Sequence, residues 1–144
     1  MTAEEAQRAV AEADVVWLSG GDTPTQFRYL QEYGLSEVIK KHNGVVIGMS
    51  AGAINMAKTA VCTVACGHER QEIYADLGCV KMSVEPHFTS DNVYGELLEL
   101  SKKYEIYGLC DNSIIVCTKG KIEYYGQVYK IKKARSVWSA GMFR

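Results

Sequence analysis

Ser50 stands in the pentapeptide Gly48-Met49-Ser50-Ala51-Gly52, between the apolar run Val45-Val46-Ile47 and the helix-forming stretch Ala53-Ile54-Asn55-Met56-Ala57. A buried strand, a Gly-x-Ser-x-Gly turn and a helix, in that order, are the local signature of a nucleophile elbow. Gly48 and Gly52 lack the Cβ that would clash where strand and helix nearly touch. The turn lifts the serine hydroxyl clear of the backbone, at a helix N-terminus whose amides favour negative charge. The alternative is a plain strand-to-helix turn around a structural serine, and the flanking elements favour chemistry.

A serine hydroxyl is a poor nucleophile at neutral pH and needs a base. Three histidines are available. His42, in Lys40-Lys41-His42-Asn43, reads as a solvated helix end. His68, in Gly67-His68-Glu69-Arg70, reads as a surface-loop residue, with a substrate contact as its alternative. His87, in Glu85-Pro86-His87-Phe88-Thr89, follows a strand and is favoured as the base over a satisfied half-buried histidine. Asp111 has the strongest claim to orient it, because a carboxylate accepting Nδ1–H fixes the imidazole tautomer. The alternative for Asp111 is an Asp-Asn turn. Glu85 is the rival orienter: two residues before His87 on one strand, it points the same way and could line the pocket. The loop Ser19-Gly20-Gly21-Asp22-Thr23-Pro24 offers the Gly21 amide to an oxyanion hole, with the Ala51 amide as the second donor. Its alternative is a turn capped by Asp22. No Gly-Lys-Ser/Thr follows, so the loop is not a phosphate cradle. The order Ser, His, Asp differs from the Ser, Asp, His order of α/β-hydrolases and disfavours a lipase or esterase.

These residues need elements to carry them. Thr2-Ala3-Glu4-Glu5 is a capping box, which predicts a helix over about 3–12. Val15–Leu18 reads as a buried strand. Helices follow over about Thr25–Tyr33 and Ser36–Lys41, then the strand Val45–Ile47 and a helix running to about Ala60. Residues 61–78 resist assignment, although Val61–Cys66 has β propensity. Val80–Val84 reads as a strand, about Asn92–Tyr104 as a helix and Ile106–Leu109 as a strand. Ile114–Cys117 and Ile122–Tyr125 form a hairpin around Lys119-Gly120. Val128–Ile131 is a last strand, and the tail from Ala134 is unassigned. Alternating strands and helices predict an α/β fold with a mainly parallel sheet, in which sites form beyond the carboxyl ends of the strands. Gly20-Gly21, Ser50, His87 and Asp111 each lie just after a predicted strand, so four separate strand ends deliver one consistent chemical set.

The bulk properties fit a single domain of 144 residues, 47% hydrophobic and 23% charged. A net charge of −1 without a basic block argues against nucleic acid and anionic membrane as partners. No apolar run is long enough to span a bilayer, and the N-terminus has no signal-peptide pattern. The five cysteines, Cys62, Cys66, Cys79, Cys110 and Cys117, match neither CxxC nor a zinc pattern. They read as reduced, buried residues of a cytoplasmic protein, with a Cys62–Cys66 redox pair as the alternative.

Four segments together resemble the peptidase E family of serine peptidases, which includes aspartyl dipeptidases and cyanophycinases. They are Ala13–Thr23, Gly48–Ala53, Glu85–Thr89 and Gly108–Asn112. The resemblance covers roughly residues 10–130 and implies a class I glutamine amidotransferase-like fold with flavodoxin-like layering. It implies Ser50 as nucleophile, His87 as base and Asp111 in the third position, where many members have Glu. It implies hydrolysis of short peptides with no cofactor and no metal, and it places Asp22, Thr23, Glu85 and Thr89 near substrate. Family aspartyl dipeptidases carry an arginine after the histidine. No arginine stands between Arg70 and Arg135 here, which leaves Arg28, Arg70, Lys58 and Lys81 as carboxylate binders. Members usually carry two further βα units before the point where this sequence begins. The expectation is therefore a chain that pairs with itself or with a separate N-terminal fragment, or a fragment of a longer enzyme. A catalytically inactive or partner-dependent subunit is the alternative to an active peptidase.

Overall fold

A computed structural model describes residues 1–89, 95–132 and 138–141. The fold mixes α and β and forms two compact units. The first comprises 1–60 and 74–81, the second 61–73 and 82–144.

In the first unit, α1 (Ala3–Glu12) begins with the expected capping box, Thr2 and Glu5 each bonding the other's amide. Strand β1 (Val15–Leu18) pairs in parallel with β2 (Val45–Gly48), Val15 opposite Val45 and Leu18 opposite Gly48. Between them run α2 (Thr23–Glu32) and α3 (Leu35–Lys40). Side chains alternate along β1: Val16 and Leu18 enter a core with Leu30, Ile39 and Leu77, while Val15 and Trp17 are exposed. That alternation follows the period of two along a strand.

Helix α4 (Ala51–Asn55) is much shorter than expected. Beyond Met56 the backbone is claimed by another segment: the Lys58 amide donates to Val80 O and the Gly78 amide to Ala57 O. Once those groups are paired the helical ladder cannot continue, and the chain enters β3 (Thr59–Cys62), which pairs with β4 (Glu72–Ala75). The expected strand at Val80–Val84 moves for the same reason. Val80 makes only an isolated bridge to Ala57, and β5 occupies Ser83–Pro86.

In the second unit β5 pairs in parallel with β6 (Ile106–Leu109), Ser83 opposite Ile106 and Pro86 opposite Leu109. Strand β9 (Val128–Lys130) and then β10 (Trp138–Gly141), in the tail left unassigned, extend this sheet antiparallel. The expected hairpin forms as β7 (Ile114–Thr118) and β8 (Lys121–Tyr125). Helix α5 spans Gly95–Leu100, and its expected start at Asn92 lies outside the described residues. It packs Leu97 and Leu100 with Val61, Phe88, Ile106 and Ile131. Among the described residues no helix is long and apolar enough to cross a membrane.

Candidate active site

Ser50 follows the end of β2 by one residue, Met49, and caps α4, at φ 52° and ψ −112°. A non-glycine residue in that region is strained and persists only where its surroundings over-determine it. The surroundings are tight. The Met49 amide donates to Leu18 O at 2.9 Å, and the Gly52 amide to Met49 O at 3.0 Å. A Cβ on Gly52 would lie 2.6 Å from the Leu18 carbonyl carbon, and one on Gly48 would lie 2.6 Å from Gly52 O. Both positions exclude a side chain, as the Gly-x-Ser-x-Gly reading requires.

The Gly20–Gly21 loop lies beside the serine: a Cβ on Gly20 would be 3.4 Å from Ser50 Cβ. Gly21 sits at φ 139°, with open space where a side chain would project. Asp22 acts as the N-cap of α2, its Oδ2 accepting from the Thr25 amide at 2.9 Å. Thr23 is buried, and its carbonyl accepts from Asn55 Nδ2 at 3.1 Å. Ala51, the first residue of α4, is buried as well.

Asn55 is a residue the sequence reading missed. It is fully buried, donates also to Gln26 Oε1 at 2.9 Å and accepts from Tyr74 OH at 3.0 Å. It ties α4 to α2, and so the serine turn to the glycine loop. A lone polar residue inside an apolar helical stretch is the signal that marks it, since buried polar groups persist where they are bonded.

The second unit holds the candidate base. His87 follows β5 at φ 56°, and its Nδ1–H donates to Asp111 Oδ1 at 3.0 Å. Asp111 follows β6, the parallel neighbour of β5, so adjacent strand ends place the pair. Phe88 anchors the turn: its amide donates to Leu109 O at 2.9 Å, and its ring covers Gly108 so closely that a Cβ there would lie 2.6 Å from Cδ1. The imidazole partner is thus Asp111. Glu85, the rival, is 3% exposed and accepts from Thr63 Oγ1 at 2.6 Å. Burial pushes its carboxyl up to about 7, with Glu96 adding to the effect and the Thr63 hydroxyl opposing it. Thr89 is exposed, and residues 90–94 beyond it lie outside the described set.

Of the expected carboxylate binders, Arg28 pairs with Glu32 and Arg70 with Glu72. His68 donates from Nδ1 to the Thr63 carbonyl at 3.0 Å. None of the five cysteines is in a disulfide, Cys62 and Cys66 included; only Cys62 is buried, Cys66, Cys79 and Cys110 are half-buried and Cys117 is exposed. Burial pushes the Cys66 thiol up to about 12, with Glu85 and Cys62 contributing. Among the described residues no group of three His, Cys, Asp or Glu could hold a metal ion.

No curated protein matches the chain. Among solved structures it is similar to a crystal structure from Listeria monocytogenes EGD-e described as a candidate peptidase E. The TM-score is 0.69 at 18% identity, and the match covers 86% of this chain and 65% of that one. The chain therefore spans about 65% of that protein's length, and the likeness establishes the fold. The elbow at Ser50 and the His87–Asp111 pair both fall within residues 1–125, the span matched by the model of Peptidase family S51, and the chain belongs to that family.

Proposed function

We propose that the chain is a serine peptidase acting on short peptides through an acyl-enzyme. Ser50 Oγ attacks the scissile carbonyl and His87 accepts its proton. The tetrahedral oxyanion is taken by the amides of Gly21 and Ala51. His87 then protonates the leaving amine, and water resolves the acyl-enzyme by the same route. Asp111 holds His87 with Nδ1 protonated, so that Nε2 is the basic nitrogen. The reading calls on no metal or organic cofactor.

The strained backbone of Ser50, at φ 52°, is the observation that carries this proposal. A structural serine has no need of that conformation, and strain of this kind clusters at working residues. Two parallel strand pairs, each followed by candidate site residues, also support a class I glutamine amidotransferase-like arrangement with flavodoxin-like layering.

Intact-mass labelling with a small fluorophosphonate tests the reading. A single adduct on the wild type, absent from Ser50→Ala, is expected, and a dipeptide library then defines the substrate. Folded wild type that takes no adduct would sink the proposal and favour an inactive or partner-dependent subunit.

A further inference from the structure

The turn from Thr63 to His68 belongs to the stretch whose structure the sequence left open. It is tied down on two sides. The Glu96 carboxylate of α5 accepts from the amides of Val64 and Ala65, each at 3.2 Å. Toward β5, Thr63 Oγ1 donates to Glu85 Oε1 at 2.6 Å and accepts from the Cys66 amide at 3.0 Å. Cys66 Sγ in turn lies 3.5 Å from the Pro86 carbonyl, which accepts from the thiol. Glu85 and Pro86 are the last two residues of β5, and His87 comes next.

A carboxyl is an expensive choice at that position. Glu85 is 3% exposed, Thr63 is fully buried, and Glu85 Oε2 has no hydrogen-bond partner among the described residues. A buried polar group that is only half satisfied costs more than an apolar side chain of the same shape. Stability alone would favour replacing it, and what the hydroxyl–carboxyl bond supplies is direction. It fixes the turn against the strand end from one side, while Phe88, on Leu109 and Gly108, fixes it from the other. His87 lies between these two anchors in a left-handed conformation.

We propose that Glu85 is a positioning residue: by gripping the Thr63 hydroxyl it clamps the 63–68 turn onto the end of β5 and holds His87 where Nδ1 reaches Asp111. Its effect on turnover rests on the hydrolytic reading above, and the clamp itself does not. Burial raises the carboxyl toward neutrality, so it is largely protonated only below about pH 7 and there the clamp buries no full charge.

The test uses the full chain with Thr63→Val, which removes the hydroxyl at nearly constant shape, and Thr63→Ser, which keeps it. Two quantities are read: the 15N shifts of the His87 imidazole, which report its tautomer, and the rate of fluorophosphonate labelling. Thr63→Val is expected to release His87 from the Nδ1–H tautomer and to slow labelling by up to about 10²-fold, the scale of a small misplacement. Thr63→Ser is expected to restore both. Should Thr63→Val fail to fold, Glu85→Met carries the same two readouts. Wild-type tautomer and labelling in Thr63→Val would overturn the clamp, and so would a Thr63→Ser variant as impaired as Thr63→Val. If the wild type takes no label, the tautomer alone decides: its release in Thr63→Val upholds the clamp while the hydrolytic reading fails.

Discussion

His87 and Asp111 are bonded at 3.0 Å, yet their side chains are 62% and 78% exposed. An ion pair that open contributes about 0–1 kcal/mol to stability. Its value lies in tautomer and orientation, and these separate cleanly by experiment. Asp111→Asn should leave the urea midpoint almost unmoved while labelling of Ser50 falls by about 10⁴-fold, because the amide favours the wrong tautomer. Equal losses of stability and reactivity would show that Asp111 is structural. At this scale the sequence was legible where geometry follows local pattern: the strained turn at Ser50 follows from Gly48 and Gly52, and the His87–Asp111 contact from their places after neighbouring strands. Asn55 carried a signal only as a polar residue in an apolar stretch and Thr63 carried none, because what each does is set by partners distant along the chain. Asn55 bonds groups 19 to 32 residues away, and Thr63 bonds one 22 residues away.

Elements set those residues through close backbone approach. Gly52 packs against the backbone of Leu18 on β1, which has no room to give, whereas Gly108 meets the ring of Phe88. Gly108→Ala should therefore cost about 1–3 kcal/mol by denaturant unfolding, and Gly52→Ala at least as much. The consequences differ by place. Gly108→Ala pushes the turn that carries His87 and should disturb its tautomer. Gly52→Ala should abolish labelling with the His87 tautomer intact. Loss of the tautomer in Gly52→Ala would contradict this division. The strands that flank the elbow were legible from apolar runs between glycines. Helix α4 was over-extended because Ala57 to Ala60 has good helix propensity. Pairing of Ala57 and Lys58 with the segment 78–80 overrode it, and that contact has no local signal.

Among the described residues, each compact unit holds a carboxyl that folding makes hard to ionise. Glu85 in the second unit and Asp76 in the first are both pushed up to about 7, chiefly by desolvation, from ordinary values of 4.5 and 3.8. The leading cause is opposed at Glu85 by the Thr63 hydroxyl and at Asp76 by the Leu77 amide and Lys40; Glu96 adds to it at Glu85. The folded chain thus holds these protons more tightly than the unfolded chain. Their contribution to stability is complete below the unfolded values and is lost as pH rises through about 7. For Glu85 the loss is on the order of 3 kcal/mol, and Asp76, whose two carboxyl oxygens are both buried, acts in the same direction. Glu37 and Glu105, held below the usual range by Lys40 and Lys130, act in the opposite sense and only as pH falls below the ordinary glutamate value. Both lie at the surface, where solvent weakens the effect. Urea unfolding should therefore show greater stability at about pH 5 than at about pH 8. Glu85→Gln removes the charge while keeping an acceptor for Thr63, and it should flatten part of that slope; Asp76→Asn should flatten a further part. A wild type equally stable at both pH values would mean that water reaches these carboxyls, and the buried clamp at Glu85 would have to be abandoned with it.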